Sequence, residues 1–399
     1  MFGIFGKQFQ ALVDSVLEPV WSWVIARSWA FRASLILIVS IAVGGWQRPD
    51  LVQDLFERAR FAYRVETSDS QTIPLSERTE ARLSRTLGRL GDVIENDLLP
   101  ESRQNMTAWS ASQTLVAGQS LGKEPEDPDA LVEFIRRARV SSCFCWTELP
   151  IDRQHAPGLH ISGWVITALA GMNRGLEPDE LSSLLALQST DGSWTIFAGA
   201  EPNSWASTYA TAWMTLGLHR QLKADLVTPS LKTRVKGSVR RGTAWLLQKR
   251  ENGRWRPYPN RASSIPSNSI SGLVLHVLHQ VGAPELVAID RQWLQQLPDE
   301  VVEASSKESP YVEVPTSAGT QFDHFQQLEA PWMLAATADA YQAGNGVEKR
   351  RALTWVERSL SRASFDNADS QPDNWWRAEL AIGLAHLERV RLGTATSRR

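Results

Sequence analysis

Two stretches of the chain, LLALQSTDGSW (residues 184–194) and AWLLQKRENGRW (residues 244–255), decide its fold. Each is an apolar helical segment that ends in a glutamine, Gln188 or Gln248, and continues into an Asp-Gly or Asn-Gly turn and a Gly-x-Trp. Glycine allows the positive φ that such a turn requires, and the following tryptophan can fix the angle between neighbouring helices. A unit that recurs in this way indicates a repeat architecture.

A second kind of helix alternates with these repeats and is rich in small residues. Its copies are HISGWVITALAGM (160–172), NSWASTYATAWMTLGL (203–218), SNSISGLVLHVLHQVG (267–282), EAPWMLAATADAYQAG (329–344) and DNWWRAELAIGLAHL (373–387). Apolar and small residues occupy nearly all sides of each copy, which is typical of a helix buried on both faces. No comparable length shows the alternation of a β-strand, so we predict an all-α fold in which outer helices cover inner ones.

The repeat resembles the QW motif of squalene and oxidosqualene cyclases. Its first copy consists of Gln188, Asp191, Gly192 and Trp194, and its second, with one more residue, of Gln248, Asn252, Gly253 and Trp255. The alternating helices are similar to the α/α-toroid that these cyclases share with protein prenyltransferase β subunits. The resemblance covers residues 108–390 and implies inner helices around a cavity, outer helices around them, and QW turns that tie neighbouring outer helices together.

The catalytic motifs of these families are missing. The cyclases protonate an alkene with an Asp-x-Asp-Asp motif, and no inner-helix start carries a carboxyl pair. The prenyltransferases hold zinc with Asp, Cys and His, and this chain has no cysteine after Cys145. We therefore expect neither chemistry in its usual form, and we predict no cofactor.

The N-terminal part predicts a membrane anchor. Residues 28–46 form an apolar stretch long enough to cross a bilayer if Arg32 snorkels, with Trp29 and Trp46 at interfacial positions. A cleaved signal peptide and a buried helix are the alternatives. The predicted organisation is an amphipathic segment (1–27), a transmembrane helix (28–46), a helical connector (47–107), the toroid (108–390) and a basic tail (391–399).

The charge pattern bears on location and partners. Basic residues flank both sides of the predicted span, with a slight excess after it, which favours a cytoplasmic toroid on a single-pass anchor. The net charge of −2 offers no bulk attraction for nucleic acid. We expect the membrane, and a partner protein or a lipid or isoprenoid in the toroid cavity, as the binding partners.

The two cysteines raise the hypothesis of a metal site. Cys143 and Cys145 are two residues apart, so we expect them to remain free thiols rather than to bond to each other. Together with His155 and His160 they form a C-x-C-x9-H-x4-H pattern of soft ligands that would suit zinc. An apolar buried segment with ordinary thiols explains the same residues, and we predict no metal.

Candidate functional residues come from the starts of the inner helices and the loops before them, because loops at one end of a rigid scaffold carry most functional groups. The catalytic candidates are Asp323, His324, Glu329 and Asp373. The binding candidates are Trp205, Tyr209, Trp332, Trp375, Trp376 and His160. Simple polarity is the favoured explanation for any one of the loop residues, and plain packing explains the tryptophans as well as a cavity lining does.

Two functions follow from this pattern. The first is a membrane-anchored binding or scaffold component, which the missing catalytic motifs favour. The second is a lipid- or isoprenoid-modifying enzyme with a nonstandard acid, in which aromatic faces would stabilise a carbocation. Glycan cleavage by a toroid is a distant third because no paired acids are evident.

Overall fold

The computed structural model of the chain describes residues 73–96, 106–147, 156–298, 306–308, 312–323, 326–361 and 374–393. The predicted anchor at 28–46, the segment 1–27 and the tail beyond residue 393 lie outside the described residues. Among the helices that are described, none combines the length and the apolar character that crossing a bilayer requires.

The described residues from Glu77 onward belong to one unit of packed helices. In chain order the helices are α1 (Glu77–Asn96), α2 (Ala108–Leu121), α3 (Pro128–Arg137), α4 (Leu159–Gly171), α5 (Pro178–Ala186), α6 (Pro202–Trp205), α7 (Thr208–Lys223), α8 (Pro229–Gln248), α9 (Asn268–Gln280), α10 (Leu286–Gln295), α11 (Glu329–Ala340), α12 (Gly346–Leu360) and α13 (Asn374–Arg391). A 3₁₀ turn, Tyr341–Ala343, follows α11.

Six of these helices form a closed inner ring. Each helix contacts the next in the order α2, α4, α7, α9, α11 and α13, and α13 contacts α2, which closes the ring. Five of the six are the small-residue helices that the sequence predicts, and α2 is the sixth. Their residues are buried nearly all round; in α4, for example, every residue from Leu159 to Ala170 is buried. The prediction of an all-α core with double-sided inner helices is confirmed.

The remaining long helices lie outside this ring. Helix α3 contacts α2, α8 contacts α7 and α5, and α10 and α12 contact α11 and each other. Helix α1, which the sequence analysis places in the connector 47–107, contacts α2, α12 and α13. The described part of the chain is therefore a toroid of paired helices, as the resemblance implies.

The first QW turn ties two outer helices together. After α5, the side chain of Gln188 donates to Ser238 O (3.1 Å) and accepts from Ser238 Oγ (2.8 Å) on α8. Asp191 Oδ2 accepts the indole N–H of Trp245, also on α8, at 3.0 Å. Gly192 has φ 99°, and a Cβ there would lie 2.5 Å from the carbonyl oxygen of Arg241. Only glycine meets both requirements, which explains the Asp-Gly of the motif.

The second QW turn repeats this device between α8 and α10. The guanidinium of Arg254 donates to the carbonyl oxygen of Gln296, just beyond α10, at 3.1 Å. The indole N–H of Trp255 donates to Leu246 O at 2.6 Å, which holds the turn against the end of α8. Trp194 and Trp255 are fully buried. The repeat tryptophans are therefore packing residues.

Serine caps set the starts of two inner helices. Ser207 Oγ accepts the N–H of Ala210 at the start of α7, and Ser267 Oγ accepts the N–H of Ile270 at the start of α9. Such caps satisfy backbone donors that the first turn of a helix leaves open. Because α7 begins after Ser207, Trp205 belongs to the separate short helix α6 and does not begin an inner helix as the sequence analysis expected.

Short strands occur where the sequence predicts loops. Strands β1 (Arg139–Val140) and β2 (Cys145–Trp146) form one antiparallel pair, and β4 (Val312–Thr316) and β5 (Gly319–Asp323) form another. Strand β3 (Ser306–Glu308) pairs with β6 (Gln326–Leu328). The β4–β5 hairpin lies in the long segment before α11, and its last residue, Asp323, reaches the candidate site described below.

The expectation of two free thiols is wrong. Cys143 and Cys145 are joined by a disulfide in the β1–β2 hairpin, with 5.2 Å between their Cα atoms. The turn makes this possible because the intervening residue, Phe144, has φ 51°, in the left-handed region. A disulfide offers no thiolate, so these sulfurs cannot complete the C-x-C-x9-H-x4-H metal site in this state. His155, another member of that pattern, lies outside the described residues.

Candidate functional site

Buried tryptophan side chains of three inner helices contact one another. The indole of Trp164 on α4 stacks on that of Trp213 on α7, with 3.5 Å between ring centroids and 26° between planes. The edge of Trp213 meets Trp332 on α11, with 5.8 Å between centroids. All three side chains are at most 1% exposed. The inner helices α4, α7 and α11 therefore meet through buried indoles.

These rings connect the two ends of the inner helices. The indole N–H of Trp164 donates to Tyr209 Oη (2.9 Å) near the start of α7. The indole N–H of Trp332 donates to a carboxylate oxygen of Glu379 on α13 (3.1 Å). On its other side Trp332 meets the ring of His276 near the end of α9, with 6.1 Å between centroids. The result is a continuous aromatic column along the ring interior.

The mouth of the ring, where the inner helices begin, carries the first group of predicted site residues. Asp323, at the end of β5, accepts a hydrogen bond from the phenol O–H of Tyr258, and its side chain is 8% exposed. The ring of Tyr258 meets Trp205 edge-on, and the guanidinium of Arg261 lies 4.0 Å from the Trp205 centroid. Burial, and then the charge of Asp323, raises the pKa of Tyr258 well above its ordinary value. The phenol stays protonated and donates.

A second carboxylate at the mouth is held by an amide. Glu329, the first residue of α11, accepts from Asn268 Nδ2, and it is 5% exposed. Burial, followed by the charge of Glu379, raises the pKa of Tyr209 well above its usual range. Three buried carboxylates, those of Asp323, Glu329 and Glu379, therefore lie at this end among several aromatic rings. Each accepts a hydrogen bond from a neutral donor, which is Tyr258, Asn268 or Trp332 respectively.

His160 occupies an aromatic nest at the start of α4. The rings of Trp109, Phe197 and Tyr209 surround it with centroids 5.6–6.1 Å away. Burial lowers the pKa of His160 to about 4, and the weak contact of its Nδ1 with Ile196 O offsets little of that effect. The imidazole is neutral at physiological pH, as expected for a packed core residue.

The other predicted site residues separate into two groups. Trp375 and Trp376 lie in the first turn of α13, where Trp375 is half-buried and Trp376 is buried. His324 and Asp373 lie outside the described residues. The structure thus brings Asp323, Glu329, Trp205, Tyr209, Trp332 and His160 to the mouth or the column beneath it.

A groove of about 970 Å³ lies at the opposite end, where the inner helices finish. We call it the basic groove. One face of α8 and the ends of α7 and α9 form its walls. Its apolar lining includes Leu222, Val239, Leu247, Val281 and Pro284. Its cationic lining consists of Lys223, Lys236 and Arg240, and the imidazoles of His219 and His279 also line it.

The charges of the basic groove are unbalanced. Asp339 is the one carboxylate among its lining residues, and it lies with His386 at the base. Lys223, Lys236 and Arg240 are exposed. Lys223 is in the last turn of α7, where the helix dipole favours a cation, but Lys236 and Arg240 are in the middle of α8. The helix dipole therefore does not account for the positions of Lys236 and Arg240.

Three polar side chains meet at the base of the basic groove. Asp339 on α11 has one carboxylate oxygen 2.9 Å from His276 Nδ1 on α9 and the other 2.6 Å from His386 Nε2 on α13. Their side chains are 5–9% exposed. Burial, then the charge of His386, lowers the pKa of His276 to about 4. Burial alone would raise the pKa of Asp339, but His386 and the hydrogen bonds of both imidazoles lower it well below its ordinary value.

Sequence reasoning missed this second end of the ring. None of His276, Asp339 and His386 is among the candidates that the sequence predicts. One signal was present: a histidine or an aspartate interrupts the apolar pattern near the end of each of three successive inner helices, α9, α11 and α13. Only the closed ring shows that these three positions meet, because they are up to 110 residues apart (276 to 386).

The sequence matches no family model and no curated protein. Among solved structures, an alpha-amylase from Clostridium perfringens is 12% identical with a TM-score of 0.44, covering 70% of this chain and 85% of that one. A type II terpene cyclase from Scytonema, solved with its substrate geranylgeranyl dihydroxybenzoate, is 11% identical with a TM-score of 0.46, covering 78% of this chain and 99% of that one. At this level the likeness is one of coarse fold, and neither activity transfers to this chain.

Proposed function

We propose that this chain is a binding protein that holds an anionic amphiphile in the basic groove, and that residues 28–46 keep it at a membrane. The observation that carries the proposal is the basic groove itself, in which apolar side chains and three exposed cations surround about 970 Å³. Ligand sites of this size usually combine apolar walls with a few charged groups that orient the ligand.

The packing at the centre of the ring supports binding over cyclisation. Trp164, Trp213 and Trp332 meet there with at most 1% of each side chain exposed. Protein interiors are packed as tightly as organic crystals, so a substrate could enter only if these indoles moved apart.

The position of the cations supports an anionic head group. Lys236 and Arg240 are one helical turn apart on α8, so their side chains project from the same face into the groove. Like charges at this spacing repel each other by a few tenths of a kcal/mol. A bound phosphate or diphosphate would turn that repulsion into two charge-assisted contacts.

Isothermal titration calorimetry of the full chain in nanodiscs tests the proposal. The probes are farnesyl diphosphate, farnesol and inorganic diphosphate, which separate the head group from the tail. We expect farnesyl diphosphate to bind most tightly and the double variant Lys236→Glu/Arg240→Glu to weaken it at least tenfold. Arg234→Glu is the matched control, because Arg234 is exposed on the same helix and does not line the groove. Equal affinity of the double variant and the wild type, or no binding of any probe, contradicts the proposal.

A second candidate is an isoprenoid-modifying enzyme, which the mouth of the ring favours. Asp323, Glu329 and Glu379 are buried among aromatic rings there, and aromatic faces with carboxylates can stabilise a carbocation. Product analysis after incubation with squalene and geranylgeranyl diphosphate distinguishes the two functions. A cyclised product that disappears in Asp323→Asn would establish the enzyme.

A further inference from the structure

The ends of three inner helices place two imidazoles and one carboxylate within reach of a single ion. We propose that His276, Asp339 and His386 form a binding site for one divalent transition-metal ion, of which zinc fits the donor set best. The inference goes beyond the proposed function and does not depend on the occupant of the basic groove.

The donor atoms are already close to one another. One ligand atom from each of the three residues lies within 4.8 Å of the others. Zinc bonds of about 2.0–2.2 Å in tetrahedral geometry place ligand atoms roughly 3.4 Å apart. The present nitrogen–oxygen distances of 2.9 and 2.6 Å are shorter than this. These two distances run to different oxygens of Asp339, so side-chain rotations that bring one ligand atom of each residue to about 3.4 Å from the others would admit the ion.

The backbone also favours a cation at this point. His276 is in the last turn and a half of α9, Asp339 is the penultimate residue of α11, and His386 is near the end of α13. The carbonyl groups at a helix C-terminus carry a partial negative charge. Asp339 lies within the last turn of α11, so the carbonyl groups of that helix end add to the negative charge of its carboxylate.

The cluster has an open side. Asp339 and His386 line the basic groove, whereas His276 is behind them and meets Trp332. An ion held by three protein ligands would therefore keep its fourth position directed to the groove. Sites with three protein ligands and one open position are typical of zinc that contacts a small ligand or water. A phosphate or carboxylate in the groove could occupy that position.

A hydrogen-bonded triad without metal is the alternative. The two imidazoles can share the Asp339 carboxylate, and the 2.6–2.9 Å distances are normal for such bonds. Arg220, whose charge acts on His276, adds a positive group that opposes a second cation nearby. Metal titration separates the two possibilities, because a triad built only for hydrogen bonds has no stoichiometric metal affinity.

The test uses the full chain, free of any affinity tag and stripped with a chelator. Cobalt(II) is titrated in and followed by its visible absorption, which is intense for tetrahedral coordination, and zinc content is measured by plasma mass spectrometry after dialysis. We expect about one ion per chain. Asp339→Asn and His386→Gln should each weaken cobalt binding at least about tenfold.

Asp290→Asn is the matched control. Asp290 pairs with His279 at 2.8 Å at the same end of the ring but lies outside the cluster, so this variant should bind cobalt as the wild type does. Folding is monitored by circular dichroism throughout, and the wild-type titration stands even if one variant fails to fold. Less than about 0.1 ion per folded wild-type chain, or unchanged affinity in a folded Asp339→Asn or His386→Gln, overturns the proposal.

Discussion

The indole of Trp213 stacks on the indole of Trp164 with 3.5 Å between the ring centroids, in the middle of the closed inner ring. This pair joins α4 to α7 and, through Trp332, connects them to α11. The stack packs the inner helices tightly where they meet, and we assign binding to the basic groove at one end of the ring.

Truncation of the stack should destabilise the whole domain. Trp213→Ala removes a side chain that is 1% exposed and leaves a cavity among rings that cannot collapse onto it. The expected loss in the free energy of unfolding is about 3–5 kcal/mol, measured by urea denaturation. Trp375→Ala, at a half-buried tryptophan of α13, is the control and should lose less than half of that amount. Equal losses would show that the stack does not hold the ring together.

Close approach of two inner helices gives a second prediction. A Cβ at Gly272 on α9 would lie 2.6 Å from the backbone carbonyl carbon of Trp332 on α11. Gly272→Ala should therefore lower the free energy of unfolding by about 1–3 kcal/mol through overpacking. Gly237, in the middle of α8, has only the tip of Arg241 within 4 Å of such a Cβ. Gly237→Ala should stabilise by about 0.5–1 kcal/mol, so the two changes should have opposite signs in thermal denaturation.

The hydrogen bonds of the first QW turn predict that replacing Asp191 destabilises the protein more than replacing Asp225. Asp191→Ala leaves the indole N–H of Trp245, a residue 1% exposed, without its acceptor, and should cost about 1–3 kcal/mol of stability. Asp225 pairs with Lys232 on the surface, where its side chain is 78% exposed, and Asp225→Ala should cost less than about 1 kcal/mol. Urea denaturation of both variants checks this, and similar losses would mean that the turn does not tie α5 to α8.

The sequence predicts the fold well because the fold is a repeat. Gln188, Gly192 and Trp194 recur as Gln248, Gly253 and Trp255, and the apolar small-residue helices indicate double-sided burial without any knowledge of the ring. The disulfide between Cys143 and Cys145 was not predictable in this way. It depends on the left-handed conformation of Phe144, which its residue type does not indicate.

The candidate sites differ in the same way, because some residues are marked by their position in the sequence and others meet only in the folded ring. Asp323 and Glu329 are predictable because Asp323 lies in the loop before an inner helix and Glu329 begins that helix, where functional groups are usually carried. His276, Asp339 and His386 were not found, because each is one polar residue in an apolar helix and their meeting depends on ring closure. Lys236 and Arg240 resemble any exposed face of an outer helix until the groove beside them is seen.

Protonation of His160 should make stability depend on pH. Because burial lowers the folded-state pKa to about 4 from an unfolded value near 6.5, the unfolded chain binds the extra proton first. Stability from this group is therefore present above pH 6.5 and falls as the pH drops towards 4, by about 2 kcal/mol between pH 7 and pH 5. His160→Phe should lose that part of the pH dependence in urea denaturation at the two pH values. An unchanged pH dependence in a folded variant would contradict a buried neutral imidazole.

Native mass spectrometry of the detergent-extracted full chain tests the central claim, that the basic groove holds an anionic amphiphile. Wild type and Arg234→Glu should each retain the same adduct, with a tandem spectrum of a phosphate- or carboxylate-bearing lipid, and Lys236→Glu/Arg240→Glu should lose it. A bare wild-type chain, or an adduct that persists at the same level in the double variant, would contradict the claim.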